Sequence, residues 1–196
     1  MSYDIDLINR QTKETIQMTR PAFIRSGTIP AALQSDGTLR PCKQIDASIN
    51  ITYNYGHYYR EATECDERFA HADADGEVEY GIRGLYGKTA LESLGMLTDM
   101  CHRIQEKYTD EDGKWLVTKR KKVKYFDKDG HEIKDSIGAI LHGVEHTTEE
   151  YEYEVSEGDT DNYWEATAAN AIEALLNMML IATDSLTNPD AVWDGD

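Results

Sequence analysis

The sequence predicts an α+β fold: an antiparallel β-sheet of about five to seven strands, two main helices packed on one of its faces, and a β-hairpin inserted between the helices. Three observations carry this. Two long stretches place apolar residues three or four apart behind a helix start signal. Several short stretches alternate apolar with polar residues. A lysine-rich stretch is answered further along the chain by a glutamate-rich one.

The first helix is expected over residues 89–107. Thr89 followed three residues later by Glu92 is a capping box, in which each side chain satisfies a free backbone N–H of the first turn. Ala90, Leu94, Leu97, Cys101 and Ile104 then fall on one stripe, which Leu91 widens. Gly95 lies inside the run, costs about 1 kcal/mol relative to Ala, and suits the close approach of another element. The second helix is expected over 167–184, with Thr167 as N-cap. Ala171, Leu175, Met178 and Ala182 form its stripe. Ile172, Leu176, Met179 and Leu180 extend it, so the helix is expected to be largely buried.

Strands come from alternation. Residues 2–8 and 14–18 read as an opening hairpin around Ile5, Leu7, Ile16 and Met18. Residues 19–43 hold three of the four prolines and read as a long irregular loop. Residues 45–55 put Ile45, Ala47, Ile49, Ile51, Tyr53 and Tyr55 on one face, and read as the central strand. Tyr58 and Tyr59 follow, as packing residues or as part of a binding surface. Residues 114–133 read as a hairpin turning at Asp127-Lys-Asp-Gly130. Lys119-Arg-Lys-Lys122 and Lys124 are complemented by Glu149, Glu150, Glu152 and Glu154. The spacing therefore predicts antiparallel pairing of a strand near 117–126 with one near 148–155. That pairing neutralises the basic run internally and argues against nucleic-acid binding there. Residues 191–193 add one extended piece.

The chain has 20 basic and 37 acidic side chains and a formal net charge of −17. Residues 1–60 carry a small positive balance, so the acidity lies in residues 61–196. Nucleic acids and anionic membranes are repelled by such a chain, and basic protein surfaces are attracted. Cys42, Cys65 and Cys101 are odd in number and lack a C-x-x-C, which reads as free thiols in a reducing compartment. The polar N-terminus and the lack of a long apolar run point to the cytosol. No Pro/Gly/Ser-rich linker divides the chain, so residues 1–196 are expected to form one domain, with 108–160 inserted.

Residues 81–89, GIRGLYGKT, end in Gly87-Lys88-Thr89 as a phosphate-binding loop does. They depart from that motif at its first glycine, since position 82 is Ile and Gly81 is one residue early. No apolar strand ending in Asp follows to hold magnesium, so hydrolysis is not expected. Two readings stand. In one, Arg83, Gly84, Tyr86, Gly87, Lys88 and Thr89 hold a nucleotide or small anion at the helix N-terminus. Tyr53, Tyr55, Tyr58 and Trp164 then offer stacking faces. In the other, Gly84 and Gly87 make a tight turn into the helix while Tyr86 packs.

Other motifs are weaker. Asp73, Asp75 and Gly76 hint at a calcium loop but lack its Glu, and Asp-x-Asp-Gly recurs at 110–113 and 127–130, so ordinary turns are expected. His142-Gly-Val-Glu-His146 matches H-x-x-E-H, in which two His bind zinc and the Glu acts as base. If helical over 135–146, the stretch places His142 and His146 on one face as metal candidates with Glu145 between them. A third ligand is not evident, and no cofactor is expected.

Residues 50–55 (NITYNY) with Tyr58-Tyr59, residues 81–89, and residues 163–167 (YWEAT) with Asn170-Ala171 resemble motifs of a family of small acidic proteins encoded by bacteriophages and prophages. Members usually have Pro and Gly where this chain has Ala168 and Ala169, and lack a counterpart of 108–160. The resemblance implies a setting, a phage accessory protein in bacterial cytosol, rather than an activity. Charge and setting together lead to the expectation of a non-enzymatic protein that counters host defence by occupying a basic partner surface. The alternatives are a nucleotide-sequestering protein and a zinc hydrolase.

Overall fold

A computed structural model describes residues 2–27, 30–73, 75–134, 140 and 142–195. Its elements run β1 (Ser2–Asn9), β2 (Gln17–Ala22), β3 (Ala31–Leu33), β4 (Leu39–Pro41), β5 (Gln44–Asp46), β6 (Ser48–Thr52), α1 (Gly56–Thr63), β7 (Ala70–Ala72), β8 (Val78–Tyr80), α2 (Ala90–Tyr108), β9 (Val117–Phe126), β10 (Thr147–Ser156), α3 (Ala168–Asp184) and β11 (Ala191–Gly195). The mixed α+β class holds.

The expected sheet of about five to seven strands is corrected. Among the described residues, the central sheet has three strands, in the antiparallel order β11-β1-β6, and the other strands pair two by two. The opening hairpin explains part of this. Asn9 and Ile16 make the expected turn bonds, with Asn9 N–H donating to Glu14 O and Ile16 N–H to Leu7 O. Beyond them β2 leaves β1 and pairs with β5 instead. The loop expected over 19–43 contains the short β3–β4 hairpin.

Alternation in the central sheet sorts its two faces. Ile5 pairs with Ile49, and Leu7 with Trp193, and these side chains are buried under α2 and α3. The two helices pack side by side over that face. Trp193 is fully enclosed, and its Nε1 donates to Ser93 Oγ of α2 at 2.8 Å. That bond turns Ser93 inward, so the buried face of α2 runs through Ser93, Met96, Leu97, Met100, Cys101 and Ile104. Leu91, expected to widen the stripe, is 70% exposed. The capping box of Thr89 and Glu92 is present. Gly95 faces open space, so the close approach expected there is absent.

In α3 the stripe of Ala171, Leu175, Met178 and Ala182 is buried as expected. The helix is largely buried as expected, with Leu176 and Leu180, 52% and 44% exposed, on its outer side.

The tyrosine stretch is also corrected. The strand ends at Thr52, whose hydroxyl accepts from Asn54 N–H and starts a 3-10 turn over Tyr53–Tyr55 that runs straight into α1. The change of period from two to helical carries Tyr55, Tyr58 and Tyr59 into the core.

Strands β9 and β10 pair antiparallel over ten residues each. Lys119 lies opposite Glu154, Lys121 opposite Glu152, and Lys124 opposite Glu149. The charge complementarity read from the sequence is therefore a register. Lys122 and Lys124 also lie over the rings of Tyr153 and Tyr151. The hairpin expected over 114–133 forms at its turn end, where Asp127 N–H donates to His131 O, Phe126 bridges Glu132 and Ile133 N–H donates to Tyr125 O, while β9 along its length pairs with β10.

Three Asp-x-Asp-Gly turns share one set of bonds. Asp73, Asp110 and Asp127 each accept two backbone N–H groups on Oδ1, and the glycine of each turn has φ between 75° and 83°. These are turns, as expected, with their carboxylates committed to the backbone.

Candidate functional site

The residues of 81–89 are brought together, but as a structural turn. Gly84 lies so close to Phe69 that a Cβ would meet its backbone, so this glycine serves packing. Tyr86 bridges Trp193, Gly87 N–H donates to Trp193 O at 2.8 Å, and Trp193 N–H donates to Lys88 O at 3.0 Å. Lys88 N–H donates to Leu85 O. Glu92 accepts from Thr89 N–H at 2.8 Å and from the Thr89 hydroxyl at 2.7 Å. Amides that would cradle an anion are thus taken up internally, and a carboxylate already sits at the start of α2.

The aromatic candidates separate. Tyr55 and Tyr58 are buried, Tyr55 hydrogen-bonding Tyr163 O. Trp164 is 54% exposed and is held by Asn54 Nδ2, which donates to its carbonyl at 3.0 Å. Tyr53 remains at a cleft edge beside Tyr3, whose ring lies under Arg83. Arg83 itself pairs with Glu79 at 2.8 Å.

The zinc reading meets a different backbone. Residues 135–139 and 141, including Ile137 and Leu141, lie outside the described residues. His142 and Gly143 form a turn, Gly143 has φ 64°, and 144–146 have no regular structure, so the helical spacing of His142 and His146 is not formed. Both histidines are exposed, and His146 Nδ1 lies 2.7 Å from Val144 O. Among the described residues no three His, Cys, Asp or Glu side chains are placed to hold a metal. The described cysteines Cys42, Cys65 and Cys101 are all free thiols, and burial pushes Cys101 up to about 12.

Part of the acidity expected from residues 61–196 is consumed by ion pairs within the fold. Asp66 accepts from Arg68 and Arg103, and Glu61 from Lys107 and Tyr108, which ties α1 to α2. The β10 glutamates face β9. Glu157 is buried where the β9–β10 arm meets α3. It accepts from Thr118 Oγ1 at 2.7 Å, Arg120 Nη2 at 2.9 Å and Ala168 N–H at 2.9 Å, with Tyr58 Oη at 2.6 Å. Nothing in the local sequence singled it out, since Ser156-Glu-Gly158 reads only as a turn.

Carboxylates gather instead on the face of the central sheet turned away from the helices. The alternation that sends Ile5 and Leu7 inward sends Asp4 and Asp6 outward. Asp6 sits between Ser48 and Asp194 in the sheet register, and Asn50 beside Asp4 donates to its carboxylate. Asp46 of β5 closes one side of a cleft of about 480 Å³ that Asp4 and Asp6 line. Asp6 is held above its ordinary value, first by partial burial and then by repulsion from Asp4, Asp46 and Asp194. Lys43 lines the same cleft, and Lys13 a smaller one beside Asp6 and Asp194. Three of these four aspartates come from residues 1–60, the segment with a positive balance.

Among the described residues, no helix is long and apolar enough to cross a membrane. No family model, curated protein or solved structure matches the chain.

Proposed function

We propose that this is a non-enzymatic binding protein whose open sheet face takes up a basic surface of a partner protein. The observation that supports it is the convergence of Asp4, Asp6, Asp46 and Asp194 on that face, where Asp6, raised first by partial burial, is also repelled by the other three. A cationic partner relieves this repulsion, so the ionised face binds such a partner more strongly than scattered carboxylates do. Lys13 and Lys43 bound the patch and limit how a basic surface can lie on it. In the bacterial cytosol that the phage-family resemblance implies, the partner is a host protein, and occupying a basic groove on it would counter a defence function.

The test is capture from bacterial lysate at low and high salt. A partner should be retained at low salt and lost as screening shortens the reach of the charges. Replacing Asp4, Asp6 and Asp194 together by Asn should abolish retention. Replacing Glu149 and Glu154 of the arm by Gln should leave it intact. Retention that follows the arm glutamates, or no salt-sensitive partner at all, rejects the reading.

A further inference from the structure

A second cleft, of about 660 Å³, opens beside α1 and is independent of the acidic sheet face. Its volume lies in the range of small-molecule sites. Tyr3, Tyr53 and Tyr80 line it. Tyr3 and Tyr53 meet edge to face with centroids 4.3 Å apart. The Tyr3 hydroxyl reaches to within 2.8 Å of where a Cβ at Gly56 would stand, so a side chain at 56 would displace this ring.

Arg60 lines the same cleft from α1. It is exposed and makes no ion pair or side-chain hydrogen bond among the described residues. In a chain of net charge −17 an uncommitted guanidinium beside three aromatic rings is a specific combination. The rings offer stacking faces for a planar group, and the guanidinium offers paired donors to a phosphate.

The charges nearby restrict the ligand further. Glu79 is neutralised by Arg83, and Glu64 stands at the end of α1. One free cation near one free carboxylate favours a single phosphate over a di- or triphosphate. Arg60 and Arg83 disfavour a cation. His57, also in the lining, is kept neutral by burial and adds hydrogen bonding rather than charge.

We propose that the cleft between α1 and β8 binds a planar aromatic ligand carrying one phosphate, of the nucleoside monophosphate class, with Tyr53 and Tyr3 or Tyr80 against the base and Arg60 on the phosphate. This moves the anion site from the start of α2, where the amides are occupied, to Arg60, which the sequence did not indicate, and keeps only Tyr53 of the stacking residues it did.

The experiment is calorimetric titration of the intact protein with AMP, GMP, CMP and UMP, alongside adenosine and inorganic phosphate. At least one monophosphate should saturate with a Kd of about 1 mM or tighter, and its nucleoside and free phosphate should bind more weakly. Arg60→Gln should weaken that monophosphate about tenfold while leaving the melting temperature of the free protein unchanged. Tyr53→Leu should weaken monophosphate and nucleoside alike. Lys88→Ala should change nothing. Saturation by none of the four, a loss caused by Lys88→Ala and not by Arg60→Gln, or preferential binding of tetramethylammonium overturns the proposal.

Discussion

The β9–β10 arm and the helix-covered sheet are held by different forces. In the body, Trp193, Leu97, Leu175 and Ile51 are removed from water entirely, and polar groups serve mainly to position apolar ones. In the arm nearly every side chain is at least partly exposed, Val155 being buried, and order comes from ladder bonds, facing charges and the Glu157 hub at its base. The body should therefore fail through lost burial and be indifferent to salt. The arm should fail through lost charge and be sensitive to both salt and acid.

The largest effect that tests this contrast is Trp193→Ala. It removes the biggest enclosed side chain, leaves Ser93 Oγ without its donor, and should cost about 3–5 kcal/mol in global stability, read by denaturant unfolding. If the cost were confined to β11, the body would not be one cooperative unit.

Glu157→Ala comes next, at about 3 kcal/mol, because it strands Arg120, Thr118 and the Ala168 amide around a missing charge. Hydrogen exchange should show β9–β10 opening well before β1 and β6. The pH dependence has a definite sign. Burial alone would raise Glu157, but the bonds from Tyr58, Thr118, the Ala168 amide and Arg120 outweigh it and hold it below its ordinary 4.5. A depressed carboxyl stabilises the fold above its unfolded value, and that stability is lost as pH falls below 4.5 and through the folded value. Arm opening should therefore accelerate on acidification more steeply in the wild type than in Glu157→Ala, where only the cross-strand glutamates remain to be protonated.

Gly95→Ala should stabilise the body by about 0.5–1 kcal/mol, since α2 is interrupted there for no packing reason. A melting temperature that fell instead would mean an element does approach α2. In the arm, Lys121→Glu loses the 2.7 Å pair with Glu150 and faces Glu152, and should cost about 0.5 kcal/mol. The cost should shrink at high salt. The smallest effect is Asp6→Asn, which relieves repulsion on the open sheet face and should raise the melting temperature slightly at neutral pH. Asp6 is raised rather than depressed, so this gain should fade as pH falls and the wild-type carboxyl takes up its proton.

Much of this was readable in advance, for reasons that differ by element. Helix α2 announced itself by Thr89 and Glu92, a local motif whose bonds need no distant partner. The arm announced itself because cross-strand charges must alternate in register. The tyrosine stretch misled because Ile49, Ile51, Tyr53 and Tyr55 continue a two-residue period past Thr52, where the chain turns helical. Alternation cannot show that turn, since the bond that makes it runs from Asn54 N–H to Thr52 Oγ1. The 81–89 loop misled because its likeness to a phosphate site depends on free amides, and Trp193, over a hundred positions later, takes one of them.

Local order and pairing preference lay in the sequence: where the two long helices run, which two strands of the arm seek each other, which glycines and aspartates make turns. These depend on neighbours a few residues away or on complementary charge patterns. Which carboxylates end up together was decided only in three dimensions. Glu61, Asp66 and Glu157 found cations across the fold, whereas Asp4, Asp6 and Asp194 converged because a three-stranded sheet covered on one face puts every second residue of its strands on the other, and β5 brings Asp46 up beside them. Net charge counts carboxylates, but it is the partners met through long-range packing that leave some of them committed and others exposed together.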